Sequence, residues 1–239
     1  MKKFIKIVLI TLALTAPIAG QLNAGIEKMI HRLSQEKGWT SLHEAVKNRD
    51  IDKVQELIAA KAQINVATEH GATPLHIAIL NGDYELVEIL LNNKANINAR
   101  TIKGTTPLVI AACCGYTKIV ELLINQGADI DGANYDGITP LHAAAYSGDH
   151  KSVKMLINRG ANVCALDLDN KTPLYYALEN EEIQCVKSFL INGSIFQLIR
   201  DDKFDPEVAK LLVEQNNLEM IDAFRNTARK IHAYLNNKR

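Results

Sequence analysis

The 239-residue sequence lacks the short motifs by which many enzymes bind nucleotides or activate a nucleophile. It contains no glycine-rich phosphate loop, no G-x-S-x-G turn and no G-x-G-x-x-G fingerprint. Its 27 basic and 27 acidic residues balance each other, so no basic footprint indicates a nucleic-acid partner. The sequence therefore offers no motif for a nucleotide-dependent or serine-based reaction.

Cysteine is scarce, and its spacing excludes the usual zinc and redox motifs. The four cysteines are Cys113, Cys114, Cys164 and Cys185, and no C-x-x-C pair occurs among them. Neighbouring residues on a helix do not offer ordinary disulfide geometry, so we expect four free thiols. Cys113 and Cys114 are the first candidates for oxidation or a mixed disulfide.

A metalloprotease motif is also missing. His43-Glu44 begins an H-E-x-x-H pattern, but Lys47 stands where the second histidine is needed. We therefore predict no metal site and no cofactor.

Proline is almost as scarce, yet five of the six prolines recur at a fixed interval of 33 residues. They are Pro74, Pro107, Pro140, Pro173 and Pro206. A fixed period of this length is typical of stacked repeat proteins, in which each unit buries its apolar face only against its neighbours.

Each unit predicts two short helices. A threonine before the proline suits an N-cap, and proline suits the first helical position. Apolar residues at helical spacing follow, for example Val87, Leu90 and Leu91 in the second helix. Glycines such as Gly82 and Gly127 suit the left-handed residue that ends a helix. The units open at Gly38, Gly71, Gly104, Gly137 and Asn170.

The lines GATPLHIAI and GITPLHAAA, repeated with variations, resemble the ankyrin repeat over residues 38 to 196. The resemblance implies an all-α solenoid of stacked helix-turn-helix units with short hairpin-like loops. It also implies that His43, His76 and His142 make hydrogen bonds that tie the stack together. Ser41, Val109, Tyr175 and Glu181 depart from the pattern. The predicted repeats are 38–70, 71–103, 104–136, 137–169 and 170–202.

The two ends differ from the repeats. Residues 1–20 have lysines at positions 2, 3 and 6 followed by an apolar run, which predicts a secretory signal peptide. The alternative is a short apolar helix packed on the array. We expect cleavage after Gly20 or Ala24, with the mature protein periplasmic or secreted and not inserted in a membrane. Residues 21–37 predict an N-terminal capping helix. Residues 203–239 predict a degenerate repeat that serves as a C-terminal helical cap, and the alternative is a separate helical hairpin with its own partner.

The ankyrin resemblance implies that a protein partner binds the concave face, through the loop tips and the exposed ends of the first helices. These positions vary between units while the scaffold positions recur. The predicted contacts are His70, Leu80, Asn81, Ile102, Lys103, Cys113, Cys114, Tyr135, Asp136, Ile138, Tyr146, Ser147, Leu168 and Asp169.

The predicted function is a non-catalytic, exported protein-binding module, with no nucleic-acid partner and a monomeric state. One alternative is an effector delivered to a host cell, where it binds a host protein. Another is a thiol-dependent enzyme using Cys113 or Cys114, but a nucleophile needs an activating base, and the sequence places none beside them.

Overall fold

The computed structural model describes residues 37–191, with side chains up to residue 189. The predicted signal peptide, N-terminal cap and C-terminal segment lie outside the described residues. Within them the chain forms five pairs of short helices and no strand. None of the described helices has the length and apolar character needed to cross a bilayer.

The first helix of each pair is short, and it starts at the proline of a threonine-proline pair in four repeats and at Ser41, after Thr40, in the first repeat. These inner helices are α1 (Ser41–Lys47), α3 (Pro74–Leu80), α5 (Pro107–Cys113), α7 (Pro140–Ser147) and α9 (Pro173–Glu179). Threonine is the N-cap of every one, and the side chain of Thr139, for example, accepts a hydrogen bond from the His142 amide. The predicted starts are therefore confirmed.

The second helix of each pair has nine residues. These outer helices are α2 (Ile51–Ala59), α4 (Tyr84–Asn92), α6 (Thr117–Asn125), α8 (His150–Asn158) and α10 (Ile183–Ile191). Aspartate is the N-cap of three of them: Asp50, Asp83 and Asp149 accept from the amides of Lys53, Leu86 and Ser152. Sequence reasoning missed this signal, although aspartate is a preferred N-cap residue.

The residues that end the helices have positive φ at both recurring positions. Gly82 has a φ of 67° and Gly127 a φ of 87°. Where glycine is replaced, the backbone keeps the same conformation, with φ values of 57° at Arg49 and 61° at Lys61. The geometry of the stack therefore sets the backbone, and non-glycine residues there are strained.

One apolar core runs through the stack. Each inner helix packs on the next inner helix, and α4, α6, α8 and α10 form a second layer behind them. The valine that recurs in the outer helices, from Val54 to Val186, is fully buried in each repeat. No unit could bury this residue alone, so stacking creates the core.

Candidate protein-binding surface

Each pair of repeats is joined by a hairpin whose tip holds two residues in a tight turn. In one such tip the amide of Gly104 donates to the Thr101 carbonyl at 2.8 Å, and the Thr101 amide donates to the Thr105 carbonyl at 3.1 Å. The residue that closes the turn has positive φ in every tip, including 57° at Asn170, as its turn position predicts.

Neighbouring tips are hydrogen-bonded to one another. The amide of Ile102 donates to the His70 carbonyl, that of Tyr135 to Lys103, and that of Leu168 to Asp136, each at 3.0 Å. A side-chain acceptor also fixes each turn: Asn134 Oδ1, for example, accepts from the amides of Asp136 and Ile138. The tips therefore form a continuous, braced ridge.

The first residue of three successive tips is a large, exposed apolar side chain. Ile102 is 54% exposed, Tyr135 67% and Leu168 73%. We call these three residues the apolar column. Each is 33 residues from the next, so equivalent backbone positions hold them. Most large apolar side chains of the stack are buried, which makes this column an exception.

The second residue of each tip forms a charged column beside the apolar one. It contains Lys103, Asp136 and Asp169, with His70 at the same position of an earlier tip. Lys103 and Asp169 are exposed and Asp136 is half-buried. The charge therefore changes sign along the ridge, from basic beside Ile102 to acidic beside Tyr135 and Leu168.

Two residues predicted to be exposed contacts are buried. Ile138 is 1% exposed and Leu80 is 3% exposed. Ile138 shares its position with Ala72 and Thr105, which are also buried under the neighbouring repeats. Leu80 lies in the last turn of α3 and packs into the core. The prediction that these two side chains are exposed is therefore wrong.

The polar residues at the ends of the inner helices bind the preceding repeat. Asn81 Nδ2 donates to the Val46 carbonyl at 3.0 Å, and Ser147 Oγ donates to the Ala112 carbonyl at 2.9 Å. Asn180 does the same towards the Tyr146 carbonyl. Variation at these positions is therefore not by itself a sign of partner binding, because these side chains also join repeats, a role that sequence reasoning missed.

Cys113, Cys114 and Tyr146 lie half-buried at the same helix ends. Burial raises the pKa of the Cys113 thiol to about 12 and also raises the pKa of Cys114. The thiolate is the reactive form, so the structure disfavours both cysteines as nucleophiles or oxidation sites. None of the four cysteines forms a disulfide in the part of the chain that the structure describes.

Two of the three recurring histidines, His43 and His142, join successive repeats, as the family resemblance implied, whereas the buried Nε2 of His76 has no hydrogen-bond partner among the described residues. The Thr139 amide donates to Nδ1 of His142, so the proton of the neutral ring is on Nε2. Nε2 then donates to the Lys171 carbonyl at 3.0 Å. His43 makes the same bond to the Ala72 carbonyl at 3.2 Å. Burial lowers the pKa of His142 and His76 to about 4, which keeps both neutral.

Two further polar systems were not found from the sequence. Tyr176 donates its hydroxyl to the buried Asp167 carboxylate, which also accepts from the amides of Asp169 and Lys171. In the loops that follow the outer helices α4 and α6, Asn98 Oδ1 accepts a hydrogen bond from the Asp129 amide at 2.9 Å. The recurrence of Asn65, Asn98 and Asp131 at the repeat period was the available signal.

The described residues contain no group of three or more histidine, cysteine, aspartate or glutamate side chains placed to hold a metal ion. His43, His76 and His142 each use Nδ1 within their own repeat, through bonds from Thr40, Thr73 and Thr139. The Nδ1 atoms of these three histidines are therefore already used inside the stack.

Comparison with known proteins agrees with the fold. The family model described as "Ankyrin repeats (3 copies)" matches four overlapping segments, residues 17–101, 42–134, 98–167 and 131–201. No curated protein matches the chain. Ankyrin repeats are generally protein–protein interaction modules and are typically non-catalytic. With the repeat period, the helix pairs and the histidine bonds in agreement, the chain belongs to the ankyrin-repeat family.

Proposed function

We propose that this chain is a non-catalytic module that binds a protein ligand along its hairpin tips. The observation that carries the proposal is the apolar column of Ile102, Tyr135 and Leu168, exposed on a hydrogen-bonded ridge. Aromatic and aliphatic side chains on a fixed frame are favoured at the centre of protein interfaces. A ridge that is already ordered also loses little conformational entropy on binding.

The inner-helix ends flank this ridge and would contribute less. Asn81 and Ser147 already bind backbone carbonyls of the preceding repeat, so a ligand would have to compete for them. Tyr146 packs edge-on against Tyr176 with ring centroids 6.3 Å apart. We therefore place the centre of binding at the tips of the second to fourth repeats, which carry Ile102, Tyr135 and Leu168.

The test is capture of the natural partner by the full chain and by a column variant carrying Ile102→Ala, Tyr135→Ala and Leu168→Ala. The matched control is Tyr84→Ala, because Tyr84 is also exposed but lies at the start of α4 beside Lys118 and Glu121 of α6. We expect the column variant to lose capture, to keep its melting temperature within a few degrees, and the control to capture normally. Equal capture by the column variant and the wild type would rule the proposal out.

We also propose that the chain is exported and acts in the periplasm, in the medium or inside a host cell as an effector. The support is the lysine-rich start and the apolar run of residues 1–20. Mass spectrometry of the protein purified from its source cells tests this proposal, with an N-terminus at residue 21 or 25 expected. A protein that keeps residues 1–20 and stays in the cytoplasmic fraction would contradict it.

A further inference from the structure

Successive helix pairs meet at four junctions, which we number from the N-terminus. The first lies between α1–α2 and α3–α4, and the second lies between α3–α4 and α5–α6. A backbone hydrogen bond between hairpin tips is present at all four, for example from the Ile102 amide to the His70 carbonyl at the second junction. Two kinds of side-chain bond also cross the junctions, but neither is present at every one.

The first kind runs from the histidine of an inner helix to the next hairpin. His43 and His142 make this bond at the first and fourth junctions, at 3.2 Å and 3.0 Å. The third junction has Val109 in place of the histidine. At the second junction His76 is present and only 1% exposed, but its Nε2 makes no hydrogen bond within the part of the chain that the structure describes.

The hairpin that faces His76 differs from the one that faces His43. The Thr73 amide donates to Nδ1 of His76 at 3.1 Å, so the neutral ring carries its proton on the unbonded Nε2. The Thr105 carbonyl lies near enough to oppose, in part, the burial that lowers the pKa of His76, yet it accepts no bond from Nε2. Thr105 Oγ1 is also buried without a partner among the described residues, whereas Ala72 has no such group at the first junction. Buried polar groups of this kind are destabilising.

The second kind of side-chain bond runs from the end of an inner helix back to the preceding pair. Asn81, Ser147 and Asn180 provide it at the first, third and fourth junctions, each through a backbone carbonyl. Cys114 has the equivalent position at the second junction. A thiol is only a weak donor, and that of Cys114 makes no hydrogen bond to the described residues of the preceding pair.

We infer that the second junction is the weakest in the described stack, and that it divides the array into two blocks, α1–α4 and α5–α10, which unfold separately. Among the four junctions of residues 37–191 it alone lacks both kinds of side-chain bond. The tip bond and apolar packing hold it, including the Tyr116 ring against Gly82. The stability of a repeat array is a sum over units and junctions, so a weak junction interrupts cooperative unfolding. The first block has fewer described helix pairs, and we expect it to unfold first.

The division leaves the apolar column on one block. The hairpins that carry Ile102, Tyr135 and Leu168 lead into α5, α7 and α9, whereas the hairpin of His70 leads into α3. Opening of the second junction would therefore keep the column intact and separate it from His70.

The direct test is urea unfolding of the full chain followed with two probes. Trp39 is the single tryptophan of the chain and lies just before α1, where its indole donates to Glu44. Its fluorescence therefore reports the first block, whereas far-ultraviolet circular dichroism reports all the helices. We expect the fluorescence to change at a lower urea concentration than the dichroism. Coincident transitions, the mark of a single cooperative unit, would overturn the inference.

Unfolding of the first helix pair alone would also separate the two probes, and a double variant distinguishes this case. Thr105→Ala and Cys114→Asn together give the second junction the residues of the first, Ala72 and Asn81. We expect the urea midpoint of the fluorescence to rise by about 0.5–1 M, as for one or two added hydrogen bonds in a block of this size, and to approach that of the dichroism. An unchanged or lower midpoint would overturn the inference, because loss of the first pair alone does not break the second junction.

The matched control is Ser147→Asn at the third junction, which already has its helix-end bond. This variant should leave the gap between the two transitions as it is in the wild type. Closure of the gap by Ser147→Asn to the same extent as by the double variant would also overturn the inference, since the coupling would then not be specific to the second junction.

Discussion

His142 donates from Nε2 to the carbonyl oxygen of Lys171 at 3.0 Å, across the junction between two repeats. The ring can make this bond in its neutral form while the Thr139 amide donates to Nδ1. Protonation would place a second hydrogen on Nδ1, opposite that amide, and would leave a charge in a buried site.

Acid should therefore destabilise the stack through His76 and His142. Their pKa is about 4 in the folded chain and about 6.5 when unfolded, so the unfolded state binds more protons between these values. The contribution of the two neutral histidines to the free energy of unfolding is complete above pH 6.5 and is lost as the pH falls to about 4. At about 1.4 kcal/mol per pKa unit, the protonation of each histidine would lower the free energy of unfolding by roughly 3 kcal/mol.

The measurement is the free energy of unfolding by urea between pH 7.5 and 4. His142→Val is the comparison, because Val109 already occupies the same position in the third repeat and is 5% exposed. The variant should be less stable at neutral pH and should lose less stability on acidification. The same pH slope in both proteins would show that His142 is not the titrating group.

Glycine at the turn before each of the first four inner helices should be required for a second reason besides its φ. A Cβ on Gly137, where φ is 79°, would lie 2.8 Å from Asp167 Cα of the next tip. A Cβ on Gly127, where φ is 87°, would meet nothing within 4 Å. Gly127→Ala should cost about 1 kcal/mol of backbone strain, and Gly137→Ala about 3 kcal/mol or more. Equal losses in urea unfolding would show that the tips do not pack as described.

The hydroxyl of Tyr176 should stabilise the tip between the fourth and fifth repeats, because it donates to the Asp167 carboxylate, which is 6% exposed. Tyr176→Phe should lower the free energy of unfolding by about 1.5–3 kcal/mol, the usual range for a hydrogen bond to a charged group. Tyr175→Phe is the control, because its hydroxyl bonds the half-buried Glu179 at 3.2 Å, and its loss should be smaller. A larger loss for Tyr175→Phe would contradict this assignment.

Cys113 and Cys114 should react slowly with iodoacetamide at neutral pH. Burial raises the pKa of Cys113 to about 12, against 9.0 for an ordinary thiol, and raises that of Cys114 as well. The thiolate fraction should therefore fall by roughly a hundredfold or more. Mass spectrometry of the labelled peptides, with urea-unfolded protein as reference, measures the ratio. Labelling of either cysteine as fast in the folded as in the unfolded chain would revive the thiol-enzyme alternative.

Local chemistry explains which structural features could be predicted from the sequence. Threonine before proline and glycine after a helix act within a few residues, so the repeat pattern predicts the inner-helix starts and the left-handed residue at Asn170. Contacts between repeats are harder to predict. In a single unit Ile138 has the position of an exposed tip residue, but the neighbouring repeats leave only 1% of it exposed. Within its own repeat the sequence offers Asn81 no evident partner, whereas in the stack its Nδ2 donates to the Val46 carbonyl of the preceding repeat.

Ligand binding should be confined to the hairpin tips, and site-specific crosslinking to the natural partner tests this most directly. A photoreactive benzophenone side chain is placed at position 135 on the ridge and, separately, at position 84 on the outer layer. We expect a covalent adduct from position 135 and none from position 84. Adducts from position 84 alone, or equally from both positions, would contradict the claim.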